Sequence, residues 1–179
     1  MNKKEEIIDI INRESPDIIT FTELLNKTNP TLTKAEITLE GYDEFFVSEN
    51  GNDKELKRRG VIIYTKKSIN AKYFKGFEDN VFREHIWCSF KTINNESVLI
   101  GVAYHSGSSS KENTNALFNI MRSEVFNQFD RVFICGDFNF PNATWDGRNS
   151  TEKDEEFYEA IRDGFFIQHV DNKTHKIQK

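Results

Sequence analysis

Two stretches of the chain pass abruptly from apolar residues to carboxylates and amides. One ends at Phe21–Glu23, and the other ends at Cys135–Asn139. Polar side chains are costly in a protein core, so a strand that ends in this way usually exposes them at a functional site. The two strand ends are therefore candidate functional sites.

Asp137 and Asn139 are two residues apart, so in an extended segment their side chains would project the same way. A carboxylate that can orient or deprotonate water would then lie beside an amide that can donate to a phosphate oxygen. Gly136 leaves room for the close approach of a ligand or another backbone. A turn is the alternative interpretation, since Gly, Asp and Asn are all turn residues and Pro141 follows.

The elements that must position these residues mix helices and strands. Apolar residues at helical spacing predict helices over 2–14, 113–129 and 152–163. Apolar and β-branched runs predict strands over 17–21, 44–47, 60–65, 85–91, 97–104, 131–135 and 165–170. Successive strands without an intervening helix must usually pair antiparallel. The order predicts an α+β fold, with a helix-covered sheet or a two-sheet sandwich favoured over a plain doubly wound sheet.

Length and charge narrow the possible classes of protein. The 179 residues are enough for one domain, since single cores usually run to about 100–200 residues. The net charge of -5 argues against a bulk electrostatic nucleic-acid binder but is compatible with a nuclease. The segment 53–67 carries six Lys or Arg residues against two acids. It is either a solvated surface or a loop that follows a nucleic-acid backbone.

The remaining composition gives no sign of membrane insertion or of a disulfide framework. No apolar stretch approaches the ~18 residues of a membrane span, and the N-terminus lacks the apolar region of a signal peptide. Cys88 and Cys135 each lie in an apolar run, which predicts reduced core residues in an intracellular protein. Nucleus and cytoplasm both remain open.

Four motifs together resemble the endonuclease/exonuclease/phosphatase superfamily. Gly136–Asn139 resembles its central motif, and Asp17–Glu23 resembles its strand that ends in a metal-binding Glu. Gly60–Tyr64 resembles its glycine-led strand, and Val102–Tyr104 resembles the strand that brings in a phosphate-contacting Tyr. The motifs occur in the family's order. The resemblance implies one domain over 1–179 with a four-layered, DNase I-like arrangement of two sheets flanked by helices.

A narrower resemblance concerns Gly136–Asp146 and Phe166–Val170. Both are similar to the endonuclease domains that precede reverse transcriptase in non-LTR retrotransposons. The resemblance implies a DNA substrate, with RNA as the alternative, and a reverse transcriptase domain in a longer parent protein.

The resemblance also implies roles for individual residues. Glu23 would ligate Mg²⁺, with Mn²⁺ as an alternative, and Asp137 would align and activate the attacking water. Asn139 would hold a non-bridging phosphate oxygen, and Tyr104 would hydrogen-bond the scissile phosphate. The alternatives are an ordinary loop carboxylate at Glu23 and a half-buried tyrosine at the end of its strand.

Three further residues are weaker candidates for substrate contacts. His105 lies where retrotransposon members often carry Arg, so it could donate to a phosphate; an ordinary surface histidine is the alternative. Arg58 and Arg59 belong to the basic segment 53–67. Phe140 and Trp145 are expected to pack the loop after Asp137.

The chain also departs from the family pattern. The family's first strand, which ends in an Asn, and its last, Ser-Asp-His strand have no counterpart here, and neither His169 nor His175 follows an Asp. The expectation is therefore a domain that is truncated at both ends, with weak or no nuclease activity. A non-catalytic remnant that serves as a binding module remains an alternative, as does a phosphatase or lipid phosphodiesterase of the same superfamily.

Overall fold

A computed structural model describes residues 3–25, 32–46, 55–56, 60–78, 80–141, 143 and 152–170. The α-helices are α1 (Lys3–Glu14), α2 (Lys34–Ile37), α3 (Lys111–Met121) and α4 (Glu152–Asp163). The strands are β1 (Ile18–Phe21), β2 (Leu32–Thr33), β3 (Tyr42–Phe46), β4 (Glu55–Leu56), β5 (Ile62–Lys66), β6 (Lys72–Tyr73), β7 (His85–Lys91), β8 (Ser97–Tyr104) and β9 (Arg131–Asp137). Short 3₁₀ helices cover Lys67–Ile69 and Glu124–Gln128.

The described strands form three sheets. An antiparallel sheet has the order β1-β5-β3, and β2 pairs with β4 in a two-stranded ribbon. A four-stranded sheet has the order β6-β7-β8-β9, antiparallel except for the parallel pair β8–β9. The parallel pair is the one whose strands are joined through α3, as a crossover connection requires.

Three apolar clusters separate the layers. The middle cluster joins Ile63 of β5 and the preceding Val61 to residues of β7 and β8, so the three-stranded and four-stranded sheets pack face to face. A second cluster lies between the four-stranded sheet and the helices α3 and α4, and a third lies on the outer face of the three-stranded sheet with Ile11 and Ile37. The order is helix, sheet, sheet, helix, which confirms the α+β class.

The long predicted helix over 113–129 is wrong in its second half. The Ser110 hydroxyl accepts from the Asn113 N–H at 3.2 Å and begins α3, which ends at Met121. The Ser123 hydroxyl then accepts from the Val125 N–H at 3.3 Å and begins a separate 3₁₀ helix. Serine side chains compete with helical backbone hydrogen bonds in this way.

The predicted strand over 165–170 is also wrong. A turn follows α4, and Phe165 has a φ of 58°, which an extended strand does not allow. Phe166 packs against the cluster beneath α3 and α4, whereas Phe165 and Ile167 are 92% and 79% exposed. None of the described strands pairs with this segment, so its apolar residues have no sheet to join.

The two cysteines differ in burial, which corrects one expectation. Cys88 in β7 is fully buried in the middle cluster, whereas Cys135 in β9 is exposed. Within the described part of the chain β9 has a strand neighbour on one side only. An apolar run predicts a strand but does not distinguish an edge strand from a central one.

None of the described helices is both long enough and apolar enough to cross a membrane.

Candidate active site at the ends of β8 and β9

The parallel register of β8 and β9 places Tyr104 directly beside Asp137. Residues that pair in adjacent strands project to the same face of a sheet. Tyr104 is 5% exposed and belongs to the middle cluster, so the Asp137 side chain lies on the face that meets the opposite sheet. The Tyr104 side chain is therefore buried, and the alternative of a half-buried tyrosine at the end of its strand is wrong.

Gly136 makes this close pairing possible. Its φ is 140°, and a Cβ added there would lie 1.9 Å from the carbonyl oxygen of Ala103. The expectation that Gly136 permits close approach is confirmed, and the approaching group is the backbone of β8. Any side chain at this position would push the two strands apart.

Asp137 and Asn139 are joined by a tight turn. The Asn139 N–H donates to Oδ1 of Asp137 at 3.1 Å, and Asn139 has a left-handed φ of 52°. Aspartate commonly bonds the backbone two residues on, and asparagine tolerates this conformation. The expectation that both side chains project the same way from an extended segment is wrong, because β9 ends at Asp137.

The turn is tied to the residue after β8. The His105 N–H donates to the carbonyl oxygen of Asp137 at 2.8 Å. In the opposite direction, Nδ2 of Asn139 donates to the carbonyl oxygen of His105 at 2.9 Å. The carboxylate and the amide are thus held in a fixed relation to Tyr104.

His105 lies beneath the turn. Its side chain is 0% exposed, Nδ1 is 2.9 Å from the Phe138 carbonyl oxygen, and Nε2 is 2.9 Å from the Thr114 hydroxyl. The ring stacks on Phe140 with a centroid distance of 4.9 Å. The expectation of a surface histidine is wrong, and the ring does not face solvent in a position to donate to a phosphate. Phe140 packs the loop as expected, since it also stacks on Phe157 at 4.2 Å.

Glu23 lies at the end of the opposite sheet. It follows β1, is exposed, and has a φ of 56°. The next residue, Leu24, donates its N–H to the carbonyl oxygen of Gly60 at 3.3 Å, which ties the strand end to the residues before β5. Strand β1 contacts β9, so the strand that Glu23 follows meets the strand that ends at Asp137 across the sandwich.

No three His, Cys, Asp or Glu side chains cluster as a metal site among the described residues. A hydrated Mg²⁺ ion needs only one or two carboxylates together with water and substrate phosphate. The oxygen donors of Glu23 and Asp137 suit such an ion in chemical type.

Part of this chain matches a known family. Residues 98–179 match the endonuclease-reverse transcriptase family. The match begins in β8 and includes Tyr104, Asp137 and Asn139, so it confirms the resemblance to retrotransposon endonucleases in the part of the chain that forms the turn. No curated protein and no solved structure matches the chain.

Some candidate residues lie outside the family match or outside the described residues. Glu23 lies outside the matched residues. Arg58, Arg59 and Trp145 lie outside the described residues, so their expected roles stay predictions.

Thr114 also belongs to the site, although it was not predicted from the sequence. It is 3% exposed and lies on the buried face of α3 with Leu117 and Phe118. A hydroxyl at a buried helical position needs a partner, and here the partner is His105. A polar residue within an apolar helical stripe is the signal that could have indicated it.

Proposed function

We propose that this chain is a retrotransposon endonuclease-like domain that binds a phosphodiester of DNA at the turn after β9 and hydrolyses it with a divalent cation. The observation that carries the proposal is the register that sets Tyr104 beside Asp137, with Asn139 fixed in the next turn. The match to the endonuclease-reverse transcriptase family over residues 98–179 supports it. A DNase I-like arrangement of the four layers is part of the proposal.

The roles follow from the atoms that the turn presents. Oδ1 of Asp137 accepts from the Asn139 N–H, and the carboxylate has further lone pairs with which to orient a water molecule. Nδ2 of Asn139 carries two hydrogens, of which one donates to His105. The second can donate to a non-bridging phosphate oxygen, and the Tyr104 hydroxyl can donate to the scissile phosphate.

Glu23 is the residue we assign to Mg²⁺, with Mn²⁺ as an alternative. Glu23 is exposed to solvent after β1, and a carboxylate is a ligand of the type that a hydrated Mg²⁺ ion accepts. When bound, the cation would stabilise negative charge that develops on the phosphate. A reverse transcriptase domain in a longer parent protein fits the name of the matched family.

A binding module without catalysis is the second candidate. His105, which contacts the turn, is fully buried and has both ring nitrogens engaged. It therefore cannot exchange a proton with a bound phosphodiester in this arrangement. No Ser-Asp-His motif occurs in these 179 residues, and loss of one acid–base group typically costs about 10²–10⁴-fold in rate, so we expect slow cleavage.

Nicking of supercoiled plasmid DNA with Mg²⁺ tests the proposal. Asp137→Ala should lower the nicking rate by about 10²-fold or more, while Asp163→Ala, at the exposed end of α4, should not change it. Glu23→Gln should raise the Mg²⁺ concentration needed for half-maximal rate. Nicking that is indifferent to Asp137 would contradict the site assignment.

The same preparations separate the alternatives. Binding of DNA without any cleavage would favour the binding module. Hydrolysis of an inositol phosphate or a phospholipid without nucleic-acid cleavage would favour a phosphatase or lipid phosphodiesterase. Cleavage of RNA in preference to DNA would change the substrate while leaving the site unchanged.

A further inference from the structure

We infer that His105 is the positioning residue of the turn 137–140, acting on the candidate catalytic groups through the backbone. The inference rests on the proposed function, because it concerns how Asp137 and Asn139 are held. It assigns His105 no contact with substrate.

His105 contacts four successive residues of the turn. Its N–H donates to the Asp137 carbonyl oxygen, and its Nδ1 lies 2.9 Å from the Phe138 carbonyl oxygen. Its own carbonyl oxygen accepts from Nδ2 of Asn139, and its ring lies parallel to that of Phe140, with an interplanar angle of 9°. One residue therefore fixes the path of the chain through the entire turn.

The hydrogen-bond partners also fix the orientation of the ring. A carbonyl oxygen can only accept, so Nδ1 of His105 carries the hydrogen that points to Phe138. Nε2 faces the Thr114 hydroxyl, which in turn lies 3.0 Å from the Ser110 carbonyl oxygen. Thr114 has a single hydroxyl hydrogen, so with a neutral ring it donates either to Nε2 or to the Ser110 carbonyl oxygen, whereas a charged ring donates at Nε2 and leaves that hydrogen for Ser110. The contact with Phe138 is the same in both states.

The burial of His105 raises the energetic cost of losing these hydrogen bonds. His105 is 0% exposed, so water is not at hand to replace a lost hydrogen bond. Removal of the ring nitrogens would take a partner from the part-buried Phe138 carbonyl and from the buried Thr114 hydroxyl, which would keep only its bond to Ser110, and the loss is costly. The local response should be a change in the path of the turn, since the core beneath Phe140 is packed.

Two substitutions at this position separate the hydrogen bonds from the volume of the ring. His105→Asn places an amide nitrogen where Nδ1 stood, so it can still donate to Phe138 while losing the contact with Thr114. His105→Phe keeps an aromatic ring against Phe140 and loses both hydrogen bonds. His85→Phe is the matched control: His85 is 9% exposed, accepts from the Trp87 indole N–H at 2.9 Å and stacks on Phe82.

Amide hydrogen exchange followed by NMR measures the turn directly. His105→Phe should speed exchange of the Asn139 N–H by about 10-fold or more while the central amides of β8 keep their protection. His105→Asn should restore most of the protection at Asn139. His85→Phe should leave the ratio of Asn139 exchange to β8 exchange unchanged.

Two exchange results would overturn the inference. One is an Asn139 amide that exchanges as in the parent chain after His105→Phe. The other is a loss of protection that is equal at Asn139 and throughout β8, because that result would describe general destabilisation.

Nicking kinetics supply the second readout. A positioning role predicts that His105→Phe lowers kcat by about 10²-fold with little change in KM, and that His105→Asn recovers much of kcat. An Asp137→Ala variant that nicks at the parental rate would reject the proposed function, and the exchange data would still decide the inference. An inactive Asp137→Ala variant together with an unaltered His105→Phe variant would reject the inference alone.

Discussion

Strands β8 and β9 are parallel neighbours with similarly apolar sequences, yet they differ in burial. From Val98 to Tyr104 every residue of β8 is buried, whereas β9 alternates between partly buried and exposed residues and exposes Phe133 and Cys135. The difference arises because β8 lies between β7 and β9, while β9 has one strand neighbour among the described strands. The burial of a strand is thus set by what pairs with it and covers it.

The comparison bears on the candidate site because the site draws on both strands. Tyr104 comes from the buried strand, and Asp137 comes from the strand that has one neighbour among the described strands. In the proposed function, the buried strand would hold Tyr104 in place, and the exposed residues of β9 would let a phosphodiester reach the carboxylate. A site on two buried strands would be closed to a polymeric substrate.

The largest expected effect is on the free energy of unfolding, and it is tested by replacing one apolar residue in each strand. Leu99→Ala in β8 should lower the free energy of unfolding by about 2–5 kcal/mol, because Leu99 is fully buried and its removal leaves a cavity. Phe133→Ala in β9 should cost only about 1 kcal/mol, since the Phe133 side chain is 44% exposed. Urea unfolding followed by circular dichroism measures both. Equal losses would mean that Phe133 is covered.

The sequence predicted the parts of the fold that depend on local pattern. The helices α1 and α4 and the strands β7 and β8 fall within a residue of the expected bounds, because periodicity and β-branched residues act locally. The polar ends of β1 and β9 were also recognised. The short elements β2, β4, β6 and α2 carry too few residues to give a pattern.

What the sequence did not predict depends on contacts between distant segments. The burial of His105 requires Thr114 and Phe140 to close around it, and nothing in the residues near His105 indicates this. Phe165–Val170 has the composition of a strand, but a strand also needs a partner. The chain turns after Asp137 and does not continue as an extended segment, because the Asp137 carboxylate accepts a hydrogen bond from the Asn139 N–H.

A smaller effect is expected at the glycine that lets the two strands meet. Gly136→Ala should lower the free energy of unfolding by about 1–3 kcal/mol, because it combines a positive φ with a clash against the Ala103 carbonyl oxygen. Gly107→Ala is the matched control, since a Cβ there meets nothing within 4 Å. Thermal unfolding measures both. A Gly136→Ala variant as stable as the control would mean that β8 and β9 pair less closely than described.

The smallest expected effect concerns the reactivity of the two thiols, which reports the difference in burial between β9 and the core of its sheet. Cys88 is buried, and burial raises its pKa from the usual value to about 12, so at pH 8 it is almost entirely protonated. Cys135 is exposed, although partial burial raises its thiol pKa as well. One equivalent of a thiol reagent should therefore react in native buffer, more slowly than with a free cysteine, and a second should react only in denaturant. In the Cys135→Ser variant the remaining thiol should react only in denaturant. Two reactive thiols in native buffer would place β7 outside the core, and none would mean that the open side of β9 is covered.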